Sequence, residues 1–234
     1  MRILITGHLG FIGSYLTKRL SATGLDIKEG NDILTCELPD ADIVIHLAAQ
    51  SGVISSMLDP VKTVHNNITG TVRLLERYPN AKFIFASSGG AIQEEILSPY
   101  GLSKYCDEMF IKMMHDNYVI LRFANVYGQG SRSVVDKFIN EDITIYGDGS
   151  ATRTYVYIDN LIRGIGQSLD WKKGVYYFGT EQNYTVLDLA RATGKPYKFA
   201  PYRKGELLYS SLKNTTPNWH ATRDVITYIK EKCY

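Results

Sequence analysis

The chain has 234 residues, 44% of them hydrophobic, enough to bury a sizeable core in one domain or two closely joined ones. Its 26 basic and 24 acidic residues leave a formal charge of +2, which argues against nucleic acid or another bulk polyanion as partner and leaves room for a local phosphate site. Three scattered cysteines form no disulfide framework and five histidines stand in no metal-ligand spacing, so no metal is expected. No apolar run reaches the roughly 18 residues that span a bilayer, and the chain opens directly on a strand-like run, so a soluble cytoplasmic protein is expected, with no membrane partner.

Residues 2–6, RILIT, predict a short strand. At Gly7 the pattern changes to G-x-x-G-x-x-G (Gly7, Gly10, Gly13), followed by helical periodicity through Ile12, Leu16 and Leu20. Strand, glycine turn and helix are the context of a dinucleotide fingerprint, in which glycines let the backbone approach a pyrophosphate and the helix start offers free N–H groups. The next stretch, LDIKEGNDILTCELPD, holds at most one short strand, because a full crossover needs more chain. Within it Asp26 or Asp32 can bond ribose hydroxyls or the adenine edge. Lys28 is its only cation and no arginine is present to hold a 2′-phosphate, which favours NAD over NADP.

From Asp42 onward apolar runs alternate with helical segments: DIVIHLAA, a helix over 61–78, KFIFASS, a helix over 100–115, and NYVILRFANVYG. This pattern predicts a doubly wound α/β fold built on a parallel sheet, with ligands at the carboxyl ends of the strands. Gly7, Ala48, Ala49, Ser87, Ser88 and residues 123–127 then fall on one rim. After Ser98 and Pro99, Tyr100 and Lys104 are four residues apart on a helix, hence on one face. A tyrosine titrates near ~10, and a neighbouring ammonium would lower that value towards use as an acid/base.

The stretches TGHLGFIG, DIVIHLAAQSGV, NNITGTVRLLE, FIFASSGGA, PYGLSK, LRFANVYGQG, ITIYGDGSATRTYVYIDN and RKGE, in that order, resemble the extended short-chain dehydrogenase/reductases, specifically the nucleotide-sugar epimerase/dehydratase family. The resemblance implies a Rossmann-type cofactor domain over 1–128, with 151–170 packing back on it, and a small nucleotide-sugar-binding region over 129–234. It places Gly7, Gly10, Phe11, Ile12 and Gly13 along the NAD pyrophosphate, Asp32 and Ile33 at the adenine, and Leu47, Ala48, Ala49, Asn67, Ser87 and Phe123 along the cofactor. Tyr100 would be the catalytic acid/base, Lys104 would hold the nicotinamide ribose and tune Tyr100, and Ser88 would bond the reacting hydroxyl. Asn125, Arg153 and Arg203 would contact the diphosphate of a UDP-sugar, Tyr146 the uracil or its ribose, and Glu206 a ribose hydroxyl.

Dehydratases of this family place an Asp-Glu pair directly after the catalytic Ser or Thr; here Gly89 and Gly90 stand there. The resemblance therefore implies a 4-epimerase acting on a UDP-hexose or UDP-uronate. A reductase or decarboxylase on the same scaffold, or a non-catalytic NAD-binding sensor, are the alternatives. It also implies a homodimer formed through the helices near 61–78 and 100–115. The chain departs from the family in the short segment before Asp32 and in having eleven residues between Ser88 and Tyr100, about half the family's loop.

Overall fold

The computed structural model describes the chain apart from residues 93–95, 97 and 204–206 and the side chain of Ile92. It divides into two compact units: 1–122 with 165–176, and 123–164 with 177–234.

The first unit carries β1 (Ile3–Thr6), α1 (Phe11–Leu16), β2 (Thr23–Leu25), β3 (Ile43–His46), α2 (Val53–Leu58), α3 (Pro60–Val64), α4 (Gly70–Arg77), β4 (Lys82–Ser88), α5 (Pro99–Met114) and β5 (Tyr118–Phe123), whose last residue already counts with the second unit. The second continues through β6 (Asn125–Tyr127), α6 (Val134–Asn140), β7 (Ile143–Tyr146), β8 (Thr152–Tyr157) and α7 (Ile158–Gln167), whose residues from Ile165 on count with the first unit. After β9 (Gly174–Phe178) come β10 (Asn183–Thr185), α8 (Val186–Ala192), β11 (Tyr197–Ala200), β12 (Tyr209–Ser210) and α9 (Val225–Cys233).

A six-stranded sheet runs in the order β2-β1-β3-β4-β5-β9, with β2, β1, β3 and β4 mutually parallel. Every residue of β1 and β3 is buried, the mark of strands covered on both faces. Leu4, Val44, Phe83, Phe85 and Ile120 meet Leu74 and Leu75 of α4 and Ile111 of α5 on one of those faces. This is the doubly wound arrangement expected. Lys82 ties the returning segment down by donating to the carbonyls of Leu169 (2.6 Å) and Trp171 (2.7 Å).

Three details differ from the sequence reading. First, α1 ends at Leu16 rather than running on through Leu20; the Thr17 hydroxyl donates back to the Gly13 carbonyl (3.2 Å), the local bonding by which Thr weakens helix continuation. Second, the helix expected over 61–78 is α3 and α4 joined by a π turn at His65–Thr69. Third, the run NYVILRFANVYG is two strands. Ala124 donates its N–H to the Phe178 carbonyl, and beyond it Asn125, Val126 and Tyr127 pair with Tyr155, Val156 and Tyr157 of β8.

The second unit has its own core, in which Tyr127, Phe138, Ile145 and Tyr155 pack with Leu189, Tyr228 and Ile229. Its small sheets pair β8 with β10, β12 and β6, and β7 with β11.

Candidate active site

The glycine turn lies between β1 and α1. Gly7 has φ +74°, and a Cβ there would sit 2.7 Å from the Ala48 nitrogen; a Cβ on Gly13 would sit 2.2 Å from the Gly7 carbonyl oxygen. Neither position tolerates a side chain, so the turn stays narrow and the start of α1, capped by Gly10 without a side-chain hydrogen bond, remains open beside Phe11 and Ile12. A pyrophosphate fits such a cradle of glycine backbone and uncapped amides.

Asp26 follows β2 directly and is buried. Its carboxylate accepts the N–H of Leu9 (3.0 Å) in the turn and of Lys28 (3.0 Å), so it fixes the turn's shape. Asp32 sits in the following loop, where it accepts the Leu34 N–H (2.9 Å). Arg73 of α4 holds that loop through the carbonyls of Ile33 and Cys36. Leu47, Ala48 and Ala49 leave the end of β3, with Leu47 donating to the Thr6 carbonyl (3.2 Å) and Ala48 to the Thr6 hydroxyl (3.3 Å).

The π turn carries Asn67 inward. Its amide donates to Ser103 Oγ (2.9 Å) and the Gln50 carbonyl (3.3 Å), while its oxygen accepts the Gln50 N–H (2.8 Å). Ser103 in turn donates to the Tyr100 carbonyl (2.9 Å), linking the loop after β3 to the first turn of α5. π turns recur at functional sites because the extra residue re-aims the side chains around it.

Helix α5 begins where Ser98 accepts the Gly101 N–H (3.1 Å) and Pro99 stands in the first turn. Tyr100 and Lys104 then share the face turned to the sheet. Ser88, at the end of β4, hydrogen-bonds the Tyr100 phenol and accepts the Gly90 N–H (3.2 Å). Burial pushes Tyr100 up to about 12 although part of the residue stays accessible; the Ser88 bond favours the phenolate and the nearby Asp107 charge opposes it. The net shift of the phenol is thus upward, where a net lowering was expected beside Lys104. In this structure desolvation of the phenol outweighs any charge nearby. Lys104 is itself buried, with its ammonium 4.4 Å from the Phe85 ring centroid; burial lowers its pKa, and Asp107 and Glu108 act against that.

Below these residues lies a buried polar layer that sequence reasoning missed. Ser87 donates to Glu108 Oε1 (2.6 Å), and Arg122 clamps both oxygens of the same carboxylate (2.8 and 2.6 Å). His46, at the end of β3, is held neutral by burial, with a pKa down at about 3. Its ring nitrogens meet Thr6 Oγ1 (2.7 Å) and Thr71 Oγ1 (3.1 Å). The available signal was helix phase: Asp107 and Glu108 follow Lys104 by three and four residues and so share its inward face.

The remaining expected residues lie in the second unit. Phe123 is buried against Phe178, with ring centroids 5.8 Å apart. Asn125 is exposed, its amide donating to the Thr154 carbonyl (3.1 Å). Arg153 on β8 donates to the carbonyls of Thr152 (2.9 Å) and Leu207. The Arg203 guanidinium stacks 3.2 Å above the Tyr146 ring centroid. Next to them in sequence, Gly147, Asp148 and residues 199–202 line a shallow cleft of about 550 Å³. Glu206 lies outside the described residues.

Fold and site together define an α/β dinucleotide enzyme with a Ser, Tyr and Lys set at the carboxyl end of its sheet. The chain belongs to the NAD dependent epimerase/dehydratase family, whose model matches residues 25–177, and NAD is the cofactor of that family. Among curated relatives, the UDP-glucose 4-epimerase of Mycolicibacterium smegmatis is 30% identical over 284 residues, covering 92% of this chain and 90% of that protein. A UDP-glucose 4-epimerase of Thermotoga maritima solved with UDP-glucose superposes with a TM-score of 0.85 at 28% identity, over 100% of this chain and 97% of that one. The UDP-glucuronic acid 4-epimerase of Bacillus cereus, solved with UDP-glucuronic acid and NAD, gives 0.83 at 28% identity, over 100% of both chains.

Proposed function

We propose that this nucleotide-sugar enzyme is an NAD-dependent 4-epimerase of a UDP-hexose or UDP-uronate. The observation that carries the reading is the Ser88 to Tyr100 hydrogen bond at the end of β4, with Lys104 buried one turn further along α5 and glycines at positions 89 and 90. Elimination of water from a sugar needs an acid and a base at neighbouring carbons, and Gly89 and Gly90 supply neither. Inversion at one carbon needs a single group that moves a proton on and off one hydroxyl.

Tyr100 has that role in this reading. It takes the C4 hydroxyl proton as phenolate and returns it as phenol, while Ser88 holds the same oxygen. NAD, when bound, supplies the acceptance and return of the hydride. Because Tyr100 rests as a phenol, it serves as a base only where positive charge is brought to it, and Lys104 is the cation on its own helix face. Gly7, Gly10, Phe11, Ile12 and Gly13 hold the pyrophosphate, and Asp32 and Ile33 the adenine. Leu47, Ala48, Ala49, Asn67, Ser87 and Phe123 line the cofactor.

On the substrate side Arg153, Arg203 and Asn125 bind the diphosphate, the two guanidinium forks suiting paired phosphates. Tyr146, stacked beneath Arg203, borders the uridine, and Glu206 bonds its ribose. The relatives named for UDP-glucose and UDP-glucuronic acid 4-epimerases support this choice of substrate class.

A homodimer through α3 and α5 is also proposed. Leu102, Tyr105, Met109 and Met113 form an exposed stripe along α5, and Val61 of α3 is 78% exposed. Such a face of spaced apolar side chains suits pairing with a second copy.

The testing experiment incubates the protein with UDP-glucose, UDP-galactose and the two corresponding UDP-uronates, with and without added NAD. Interconversion of one C4 pair is expected. Loss of water, loss of carbon dioxide, or no turnover on any of them despite NAD binding would overturn the reading.

A further inference from the structure

Asp107 is fully buried, and neither carboxylate oxygen has a hydrogen bond of good geometry among the described residues. Leaving a carboxylate in that state is costly unless a charge nearby compensates it. Helix phase identifies the partner: Tyr100, Lys104 and Asp107 stand at i, i+4 and i+7, all on the inward face of α5.

The charges facing Asp107 narrow the choice. From α5 it meets Lys104, Glu108, Tyr100 and the Cys106 thiol. Glu108 is already engaged by Arg122 and Ser87, with the Lys112 ammonium at 3.6 Å. From α4 Asp107 meets the Thr71 hydroxyl, in looser geometry than a full hydrogen bond. From β3, His46 is neutral and adds no charge. That leaves Lys104, a residue buried to the same degree, whose ammonium lies over the Phe85 ring.

The hydrogen-bond chain behind Thr71 has a direction. The Thr71 hydroxyl favours the Asp107 carboxylate and so donates to it, which assigns Thr71 Oγ1 as acceptor of the His46 Nε2 proton; Nδ1 of the neutral ring then accepts from the Thr6 hydroxyl, whose oxygen also takes the Ala48 N–H. Each link presents a donor towards the carboxylate, which favours its ionised form, and the far end is the residue directly before Gly7.

We propose that Asp107 is a positioning residue: the buried counter-charge that keeps Lys104 an ammonium beside Tyr100, held ionised by the donor chain from Thr6 through His46 and Thr71. Its bearing on catalysis rests on the epimerase reading, but its effect on Lys104 does not. The acidity of Asp107 agrees, since burial lifts it to about 6 and it is still ionised at neutral pH.

The test is an NMR titration of the intact protein carrying ¹³C at the lysine ε-carbons and the aspartate carboxyls. In Asp107→Asn the Lys104 midpoint is expected to fall by at least about one pH unit, a tenfold shift in its proton equilibrium. An unchanged Lys104 midpoint would overturn the proposal. Wild-type protein gives a second reading that needs no variant: the Asp107 carboxyl is expected to be ionised at neutral pH, with its midpoint at or below about 6, and a carboxyl still protonated at neutral pH would also overturn it. Neither readout depends on turnover, so failure here and failure of the epimerase reading are told apart.

Discussion

Ser88, the last residue of β4, hydrogen-bonds the phenol of Tyr100 in the first turn of α5, joining the sheet's carboxyl end to the helix that carries Lys104. The bond favours the phenolate against a burial effect that pushes Tyr100 up to about 12. Tyr100→Phe is expected to lower turnover by about 10²- to 10⁴-fold, the range for a lost general acid/base, with the thermal midpoint little changed. Ser88→Ala is expected to move the pH–rate profile to more alkaline values, because the phenolate loses a donor. Steady-state kinetics across pH on both variants checks this.

Stability against pH carries the signature of the buried layer. His46 has its pKa depressed from 6.5 to about 3, so its contribution to stability is complete above pH 6.5 and is lost as pH falls from there towards 3. Asp107 has its own raised from 3.8 to about 6, so its contribution is complete below 3.8 and is lost as pH rises through 6. Between about pH 4 and 6 the two slopes oppose one another, each up to roughly 1.4 kcal/mol per pH unit. Asp107→Asn leaves the His46 slope unopposed. Acidification from pH 6 to 4 should then cost the variant on the order of 2–3 kcal/mol more than wild type, read by urea unfolding at each pH.

Glu108 is the fulcrum beneath Ser87. Replacing it with Gln leaves the Arg122 guanidinium, buried against β4 and α5, without its counter-charge, and such breaks typically cost about 3–5 kcal/mol. The expected result is a markedly lower denaturant midpoint. Glu108→Asp, which keeps the charge, should lose less.

The exposed stripe on α5 predicts the assembly state. Met109→Lys combined with Met113→Lys places two charges in the proposed dimer face. Sedimentation equilibrium is expected to give a dimer for wild type and a monomer for the variant, with the circular dichroism spectrum unchanged.

Much of the first unit was legible because its signals are local. The glycine spacing after RILIT, the Ser98-Pro99 start of α5 and the i, i+4 spacing of Tyr100 and Lys104 each depend on a few neighbouring residues. The break at Ala124 was not legible: the run from Tyr118 to Tyr127 holds no glycine or proline to mark it, and only tertiary pairing sends Ala124 to Phe178 and Asn125 to β8. Asp107 was missed for a different reason. A charge on a helix ordinarily faces water, and only the inward phase set by Lys104 shows that this one does not. The direction of the Tyr100 shift also escaped, because spacing reveals a nearby cation but not the depth at which the phenol is buried.

The proposed epimerisation by Tyr100 inverts one carbon while the hydride is retained and the hydroxyl proton passes through the phenol. The most direct measurement runs the reaction in deuterium oxide with the UDP-sugar that turns over and reads C4 of the product by NMR. Wild type is expected to yield an inverted C4 carrying no solvent deuterium, and Tyr100→Phe no inversion. Deuterium at C4, or inversion that survives Tyr100→Phe, would contradict this mechanism.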